Sequence, residues 1–190
     1  MPPERPALFL DRDGVINEDR GYVYRIEDFR FLPGALEGSR KFHQAGYLIV
    51  VVTNQAGIAR GYYTENDFHA LTRWMCAQFD EFGAPISAVY YCPHHPDGAV
   101  RIYSSLCECR KPAPGLLIRA RNELSINMRR SVLVGDKVSD ALAAQAANVG
   151  RSYVLGDTAH LGPSLPPTCQ RASNFSNLAT IADSLLTLRR

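Results

Sequence analysis

The sequence predicts an α/β fold with a parallel sheet and helices on both of its faces. Five short apolar runs recur along the chain, and runs that are apolar on both faces are typical of buried parallel strands. Segments of helical periodicity separate these runs, which is the alternation expected of the α/β class. Polar motifs directly follow three of the runs, at the sheet edge where open α/β folds bind ligands.

The predicted strands are short, and three of them are rich in Val, Ile or Tyr. In chain order they cover Ala7–Leu10, Tyr47–Thr53, Ala88–Cys92, Ser131–Gly135 and Ser152–Leu155. The longest strongly apolar run, YLIVVV, is far too short to cross a bilayer. We therefore expect no membrane association.

Helices are predicted between and after these strands. One follows Pro33 and Gly34, one follows KPAPG, an Ala-rich one stops at Gly150, and a last one runs through SNLATIADSLLTLR. The clearest begins after Thr64, a residue type that caps helix N-termini. Its apolar stripe comprises Phe68, Leu71, Met75, Phe79 and Phe82.

Length and composition predict one globular domain over residues 1–190. The chain is 46% hydrophobic and 21% charged, with a formal net charge of +2, which is too small to indicate a nucleic-acid or membrane partner by itself. The N-terminal sequence lacks the apolar core of a signal peptide, and no exposed apolar stripe is evident. We therefore expect a cytoplasmic monomer.

The first polar motif, Asp11-Arg12-Asp13, ends the first predicted strand. Alternation along an extended chain places Asp11 and Asp13 on the same side. Two carboxylates so close repel each other unless a divalent cation or a proton neutralises one of them.

Further polar residues lie at other strand ends or just before a helix. They are Thr53, Asn54 and Gln55, then Arg110 and Lys111, then Asp136 and Lys137. Together with Asp11 and Asp13 they supply what an oxygen-ligated divalent metal and a phosphoryl group require. Taken singly, each motif is compatible with a capped turn or a solvated loop. Asp140, one helical turn after Asp136, is compatible with an exposed or structural acid.

Three of the five cysteines crowd into a window with two histidines, at about residues 92–109. Cys92-x-His94 and Cys107-x-Cys109 form two pairs, and three thiolates with one imidazole make a closed tetrahedral set for a structural Zn²⁺. The matching spacing favours His94 over His95. The alternative is a cluster of buried thiols without metal.

Four segments, DRDGVIN, VVVTNQAGIARG, CRKPAPG and LVGDKVSDALAA, resemble in order the motifs of the haloacid dehalogenase (HAD) superfamily of phosphotransferases. The resemblance runs from about Leu8 to Gly150. Within the superfamily the chain is similar to the heptose bisphosphate phosphatases, which carry a zinc loop of the same form. Histidinol-phosphate phosphatases share these motifs. Many members have Thr where this chain has Val15, a residue of similar shape.

The resemblance implies a HAD-type, Rossmann-like fold and a phosphatase mechanism. Asp11 would be the nucleophile that forms an aspartyl-phosphate, and Asp13 would be the general acid and base. Asp11, Asp136 and the backbone carbonyl of Asp13 would hold Mg²⁺. Thr53 and Lys111 would grip the phosphoryl oxygens.

The resemblance also implies a substrate site without a large cap domain, because the chain is too short for one. The residues expected to bind the sugar phosphate are Asp19, Arg20, Gly21, Tyr22, Asn54, Gln55, Ala56, Arg110 and Lys137. Arg110 would meet a second phosphate, since a guanidinium binds phosphate at two points. The zinc loop would hold Arg110 and Lys111 in place.

The implied reaction is the Mg²⁺-dependent removal of the C7 phosphate from a heptose 1,7-bisphosphate, in the synthesis of heptose precursors of lipopolysaccharide or related glycans. Two alternatives stay open. One is hydrolysis of histidinol phosphate, and the other is a zinc-stabilised module that binds nucleic acid. The weak net charge and the lack of a basic, aromatic-rich stripe count against the second.

Overall fold

The computed structural model describes residues 4–156, 165–167, 169–171 and 177–187. Its strands are β1 (Ala7–Leu10), β2 (Leu48–Asn54), β3 (Ile86–Cys92), β4 (Val132–Gly135), β5 (Arg151–Val154) and β6 (Cys169–Arg171). They form one parallel sheet in the order β3-β2-β1-β4-β5-β6. The five predicted strands are confirmed within two residues, and β6 extends the sheet beyond β5.

The helices are α1 (Ala35–Gln44), α2 (Ala56–Ala59), α3 (Glu65–Glu81), α4 (Gly115–Leu124), α5 (Val138–Ala146) and α6 (Leu178–Thr187). Five of them were predicted, and α2 is a single additional turn. The predicted ends of the last helix, at 176 and 188–189, lie outside the described residues. In the part of the chain that the structure describes, no helix has the length and apolarity needed to span a bilayer.

Helices cover both faces of the sheet, as predicted. Leu8 and Leu10 of β1 belong to a core cluster that includes residues of α1, α3 and α6. Ala7 and Phe9 belong to a second cluster that includes residues of α4 and α5. Alternate residues of one strand are therefore buried against opposite layers, which explains why β1 is apolar throughout.

Strand β3 is less buried than its apolar composition suggests. Two of its seven residues are buried. In the described sheet it pairs only with β2 and forms an edge, so its outer side lacks a neighbouring strand.

Helix α3 begins as the sequence predicts. The Thr64 side chain accepts a hydrogen bond from the Asp67 backbone, and the Asp67 carboxylate accepts one from the Thr64 backbone, which forms a capping box. The predicted stripe is buried from Phe68 to Phe79. Phe82 was wrongly included, because it lies at the C-cap and is 40% exposed.

Two connections border the ends of the central strands. Residues 11–34 and 93–114, which are described throughout, contain one short 3-10 turn each, Ile26–Asp28 and Arg101–Tyr103. Neither connection contains a cap domain. The cavity at these strand ends is therefore bordered by loops.

Candidate active site

The site lies at the carboxyl ends of the central strands β1 and β4. Strand β2 pairs with one side of β1, and β4 pairs with its other side. The connections after β1 and β4 therefore run in opposite directions, and a crevice opens between the ends of these two strands. Asp11 follows β1 and Asp136 follows β4. Gly14 permits their approach, because a Cβ there would lie 2.4 Å from Asp136 Oδ2 and its φ is 81°.

Three carboxylates converge in this crevice, from Asp11, Asp136 and Asp140, with one oxygen of each within 4.8 Å of the others. Burial raises the pKa of Asp11 to about 6 despite the neighbouring Lys111. Burial, followed by the charge of Asp11, raises the pKa of Asp136 to about 7. Asp136 Oδ1 is buried without a hydrogen-bond partner. A divalent, oxygen-ligated cation such as Mg²⁺ fits this donor set, because it would satisfy that oxygen and offset the repulsion.

Lys111 supplies a buried positive charge to the same cluster. Its Nζ lies 3.1 Å from Asp11 Oδ2 and 2.5 Å from Asp140 Oδ1, and it donates to the Val52 carbonyl at 2.9 Å. Burial alone would lower the pKa of Lys111, but the two carboxylates raise it above its ordinary value. Lys111 therefore remains charged beside the nucleophile predicted at Asp11.

Asp140 contributes more to the site than its sequence context indicates. It is 1% exposed, which rules out the exposed acid that the sequence left open. Its Oδ2 accepts a hydrogen bond from the Lys137 backbone at the start of α5, and its Oδ1 contacts Lys111. Asp140 thus caps a helix and positions the buried lysine.

Asp13 is held by an unexpected partner, Arg12. Arg12 is 1% exposed, and its Nη2 lies 2.8 Å and 3.0 Å from the two Asp13 oxygens while also donating to the Val23 carbonyl. Asn17 donates a further hydrogen bond to Asp13 Oδ1 at 2.9 Å. These contacts fix the orientation of the carboxyl group that was predicted to carry a proton.

The end of β2 places Thr53 beside Asp13. Gln55 Nε2 donates to Thr53 Oγ1 at 2.9 Å and to Asp13 Oδ2 at 3.3 Å, and Tyr63 donates to Gln55 Oε1 at 2.5 Å. Asn54 has a different role, because its amide exchanges two hydrogen bonds with the Lys111 backbone, at 3.0 Å and 3.1 Å. Asn54 therefore ties the end of β2 to the segment that carries Lys111.

Part of this cluster, including Asp11, Asp13 and Lys111, lines a cavity of about 510 Å³. All the residues predicted for catalysis and substrate binding line it except Arg20, and Tyr63 and Ser139 line it in addition. Arg20 is exposed and lies 4.0 Å from Glu18. The structure thus brings the predicted set together with one exception.

A charged pair, Asp19 and Lys137, bridges the mouth of the cavity. Lys137 Nζ lies 3.1 Å from Asp19 Oδ2 and 3.5 Å from Asp136 Oδ2. Burial alone would raise the pKa of Asp19, but hydrogen bonds from Gly21 and Lys137 hold it below its usual value. The side chains of Lys137 and Asp19 are 57% and 39% exposed, so solvent reaches this pair.

The predicted zinc ligands also come together. Cys92 Sγ lies 3.5 Å from Cys107 Sγ, which lies 3.2 Å from Cys109 Sγ, and His94 Nδ1 lies 3.5 Å from Cys109 Sγ. A zinc ion bound tetrahedrally with bonds of about 2.0–2.3 Å needs donors roughly 3.5–3.8 Å apart. The ring nitrogens of His95 instead face Asp97 and Arg60.

The loop that carries the predicted zinc ligands contacts Arg110, which follows Cys109. Arg110 Nη1 donates to the His94 carbonyl at 3.3 Å, and Arg110 lines the same cavity as Lys137. Arg110 therefore adds a positive charge to a cavity that Lys111 and Lys137 also line.

Comparison with known proteins assigns the family. A family model described as HAD-hydrolase-like matches residues 108–163. The D-glycero-β-D-manno-heptose-1,7-bisphosphate 7-phosphatase of Yersinia pestis is 51% identical over 155 residues, 82% of this chain and 82% of that protein. The enzyme of the same name from Escherichia coli (strain K12) is 44% identical over 183 residues, 96% and 93% of the two chains. The chain belongs to this family of phosphatases.

A solved structure of the heptose bisphosphate phosphatase family shares the fold. The D,D-heptose 1,7-bisphosphate phosphatase from B. bronchiseptica, in complex with magnesium and phosphate, superposes with a TM-score of 0.83 at 29% identity, covering 96% of this chain and 99% of that one. The predicted HAD-type fold and phosphatase class are thereby confirmed. The alternative of a non-enzymatic nucleic-acid-binding module is not supported.

Several residues that contact this heptose bisphosphate phosphatase site were not predicted from the sequence. Arg12 stands between two acids, and its position at the end of a buried strand was a usable signal, because a buried arginine requires an anionic partner. Asn17 and Tyr63 carry no such signal, since their partners are set by loop geometry.

Proposed function

We propose that this phosphatase removes the C7 phosphate of D-glycero-D-manno-heptose 1,7-bisphosphate through an aspartyl-phosphate on Asp11. Two observations support the proposal: relatives of 44–51% identity are named heptose-1,7-bisphosphate 7-phosphatases, and the residues implied for catalysis and substrate binding, apart from Arg20, line one cavity here. Arg110 lines the same cavity, and its guanidinium offers a two-point contact for the second phosphate.

The first half-reaction begins at Asp11, whose Oδ2 contacts Lys111 and whose Oδ1 accepts a hydrogen bond from the Arg12 backbone. An Asp11 oxygen attacks phosphorus as the bond between phosphorus and the sugar C7 oxygen breaks. Asp13 delivers its proton to the departing oxygen. The products are the heptose 1-phosphate, an aspartyl-phosphate at Asp11 and an ionised Asp13.

The second half-reaction restores the enzyme. Asp13 takes a proton from a water molecule as that water attacks the phosphorus, and the bond to Asp11 breaks. Inorganic phosphate leaves, and Asp11 is again a carboxylate. Thr53 and Lys111 donate to the phosphoryl oxygens throughout, which stabilises the charge that develops there.

We propose Mg²⁺ as the catalytic metal, held by Asp11, Asp136 and the backbone carbonyl of Asp13. When bound, it supplies positive charge that offsets the repulsion between nucleophile and phosphate. The unpartnered Asp136 Oδ1 and the raised pKa values of Asp11 and Asp136 support this assignment. Asp140 is near the same donors but is already paired with Lys111.

We propose Zn²⁺ as a structural metal held by Cys92, His94, Cys107 and Cys109. The separations between the donor atoms support four-coordination without an open position. The ion would fix a loop whose Ile102 and Leu106 are largely exposed and which therefore has little core of its own.

The remaining predictions complete the proposal. The residues that contact the sugar in this proposal are Asp19, Gly21, Tyr22, Asn54, Gln55, Ala56, Arg110 and Lys137. Arg20 lies outside the cavity and contributes least. We further propose that residues 1–190 form one cytoplasmic, monomeric domain without nucleic-acid or membrane partners. The single described sheet supports the single domain.

Phosphate release from a panel of substrates tests this function. The purified chain is assayed with heptose 1,7-bisphosphate, heptose 1-phosphate and histidinol phosphate, in Mg²⁺ and in EDTA. We expect the bisphosphate to be preferred, EDTA to stop turnover, and Asp11→Asn to be inactive with every substrate. A clear preference for histidinol phosphate would overturn the proposed substrate, and release of both phosphates would overturn the C7 assignment.

A further inference from the structure

Tyr63 is a buried tyrosine at the inner wall of the cavity. It lies between α2 and α3 and is 6% exposed. Its ring stacks on that of Tyr24 with centroids 5.2 Å apart. On another side it lies so close to Gly57 that a Cβ there would be 2.1 Å from Tyr63 Cε1. The ring is therefore fixed by its neighbours.

The Tyr63 hydroxyl on one side and the Asp13 carboxylate on the other together orient the Gln55 amide. Tyr63 donates to Gln55 Oε1 at 2.5 Å, and Gln55 is 2% exposed. Burial raises the pKa of Tyr63 well above its usual value, so the hydroxyl keeps its proton. Since the amide oxygen faces Tyr63, the amide nitrogen must face the other way.

The amide nitrogen of Gln55 faces the two groups that act on the phosphate. It donates to Thr53 Oγ1 at 2.9 Å and to Asp13 Oδ2 at 3.3 Å. Because Thr53 accepts this bond, its own hydroxyl hydrogen remains available for a phosphoryl oxygen. A flipped amide would instead accept from Thr53 and would place its oxygen against the Asp13 carboxylate.

We propose that Tyr63 is a positioning residue that sets the direction in which the Thr53 hydroxyl donates, acting through the Gln55 amide. This inference rests on the proposed function, in which Thr53 contacts the transferred phosphoryl group. Tyr63 itself does not need to touch the substrate. Its contribution therefore disappears when Gln55 can no longer transmit it.

A double-mutant cycle tests this dependence. Tyr63→Phe keeps the ring and removes the hydroxyl, and we expect kcat to fall about tenfold with little change in KM, because a catalytic hydrogen bond is lost or misdirected. In a Gln55→Met background the same change should alter kcat less than about twofold. Tyr90→Phe is the matched control, since Tyr90 is equally buried and donates to Glu123 outside the site.

Several outcomes would overturn the inference. They are an unchanged kcat in Tyr63→Phe, an equal loss in both backgrounds, or the same loss in Tyr90→Phe. If Tyr63→Phe does not fold, Gln55→Glu replaces it, because a glutamate accepts from Tyr63 and cannot donate to Thr53. An unchanged kcat in that variant would equally overturn the inference.

The cycle is run with p-nitrophenyl phosphate as well as heptose 1,7-bisphosphate. Thr53 meets the phosphoryl group of either compound, so the expected ratios are the same. A wild-type chain that hydrolyses only the nitrophenyl ester would refute the proposed substrate and leave the cycle measurable. The activity of the wild type thus tests the substrate assignment, and the ratios of kcat in the double-mutant cycle test this inference.

Discussion

Replacing Asp136 by asparagine should stabilise the metal-free protein while abolishing turnover. Asp136 is half-buried beside Asp11, and its Oδ1 is a buried oxygen without a hydrogen-bond partner. Its pKa rises from 3.8 to about 7. A difference of roughly three pKa units corresponds to about 4 kcal/mol. When Asp136 is ionised, the free energy of unfolding is lower by this amount.

The sign of this effect determines its pH dependence. Between about pH 4 and pH 7 the folded protein holds a proton on Asp136 that the unfolded chain has lost, so the free energy of unfolding falls as the pH rises. The full cost is present above about pH 7 and is absent below about pH 4. Asp136→Asn should therefore stabilise the protein by about 4 kcal/mol at pH 8 and by less than about 2 kcal/mol at pH 5.

Urea unfolding in EDTA at both pH values measures these differences. Asp183→Asn is the control, because Asp183 forms an exposed ion pair with Lys41, and such pairs contribute at most about 1 kcal/mol. Saturating Mg²⁺ should stabilise the wild type by roughly 3 kcal/mol at a hundredfold excess over Kd, and the variant far less. A variant less stable than the wild type at pH 8, or a difference that is the same at pH 5, would refute the reasoning.

Three further predictions concern other parts of the site. Lys111→Met should lower kcat by roughly 10²–10³-fold, because it removes a buried charge from the proposed phosphoryl site. Steady-state kinetics on a variant whose circular dichroism is unchanged checks this, and a loss of kcat under tenfold would contradict it. Gly14→Ala should weaken activation by Mg²⁺, because the added methyl group would displace Asp136; a Mg²⁺ titration of activity that matches the wild type would disprove it. Cys107→Ala should lose bound zinc and lower the melting temperature, whereas Cys76→Ala, outside the cluster, should keep one zinc per chain by elemental analysis.

Much of the fold could be predicted because strands that are buried on both faces of the sheet appear in the sequence as continuous apolar runs. β1 is apolar throughout because α1, α3 and α6 cover one face and α4 and α5 the other. Strand β6 was not predicted, because Cys169–Arg171 is only three residues long and lacks an apolar run. Phe82 shows the opposite error, because an apolar stripe continues past the residue at which the helix ends.

The site could be predicted where a side chain's position follows from the strand that carries it. Asp11 and Thr53 were placed correctly because the carboxyl ends of parallel strands share one edge. The partners of Asp13 could not be predicted in the same way, because Arg12 contacts it through a loop conformation that also satisfies the Val23 carbonyl. Spacing along the chain does not encode such contacts.

The reciprocal hydrogen bonds between Asn54 and the Lys111 backbone have a consequence for how this catalyst could be altered. They join the segment that carries Thr53 to the segment that carries Lys111, and neither bond involves the exposed side chains at the entrance, such as Tyr22 and Lys137. Redesign of substrate choice can therefore begin at exposed entrance residues such as Tyr22, where substitutions cost little folding free energy, while the hydrogen bonds between Asn54 and the Lys111 backbone are kept.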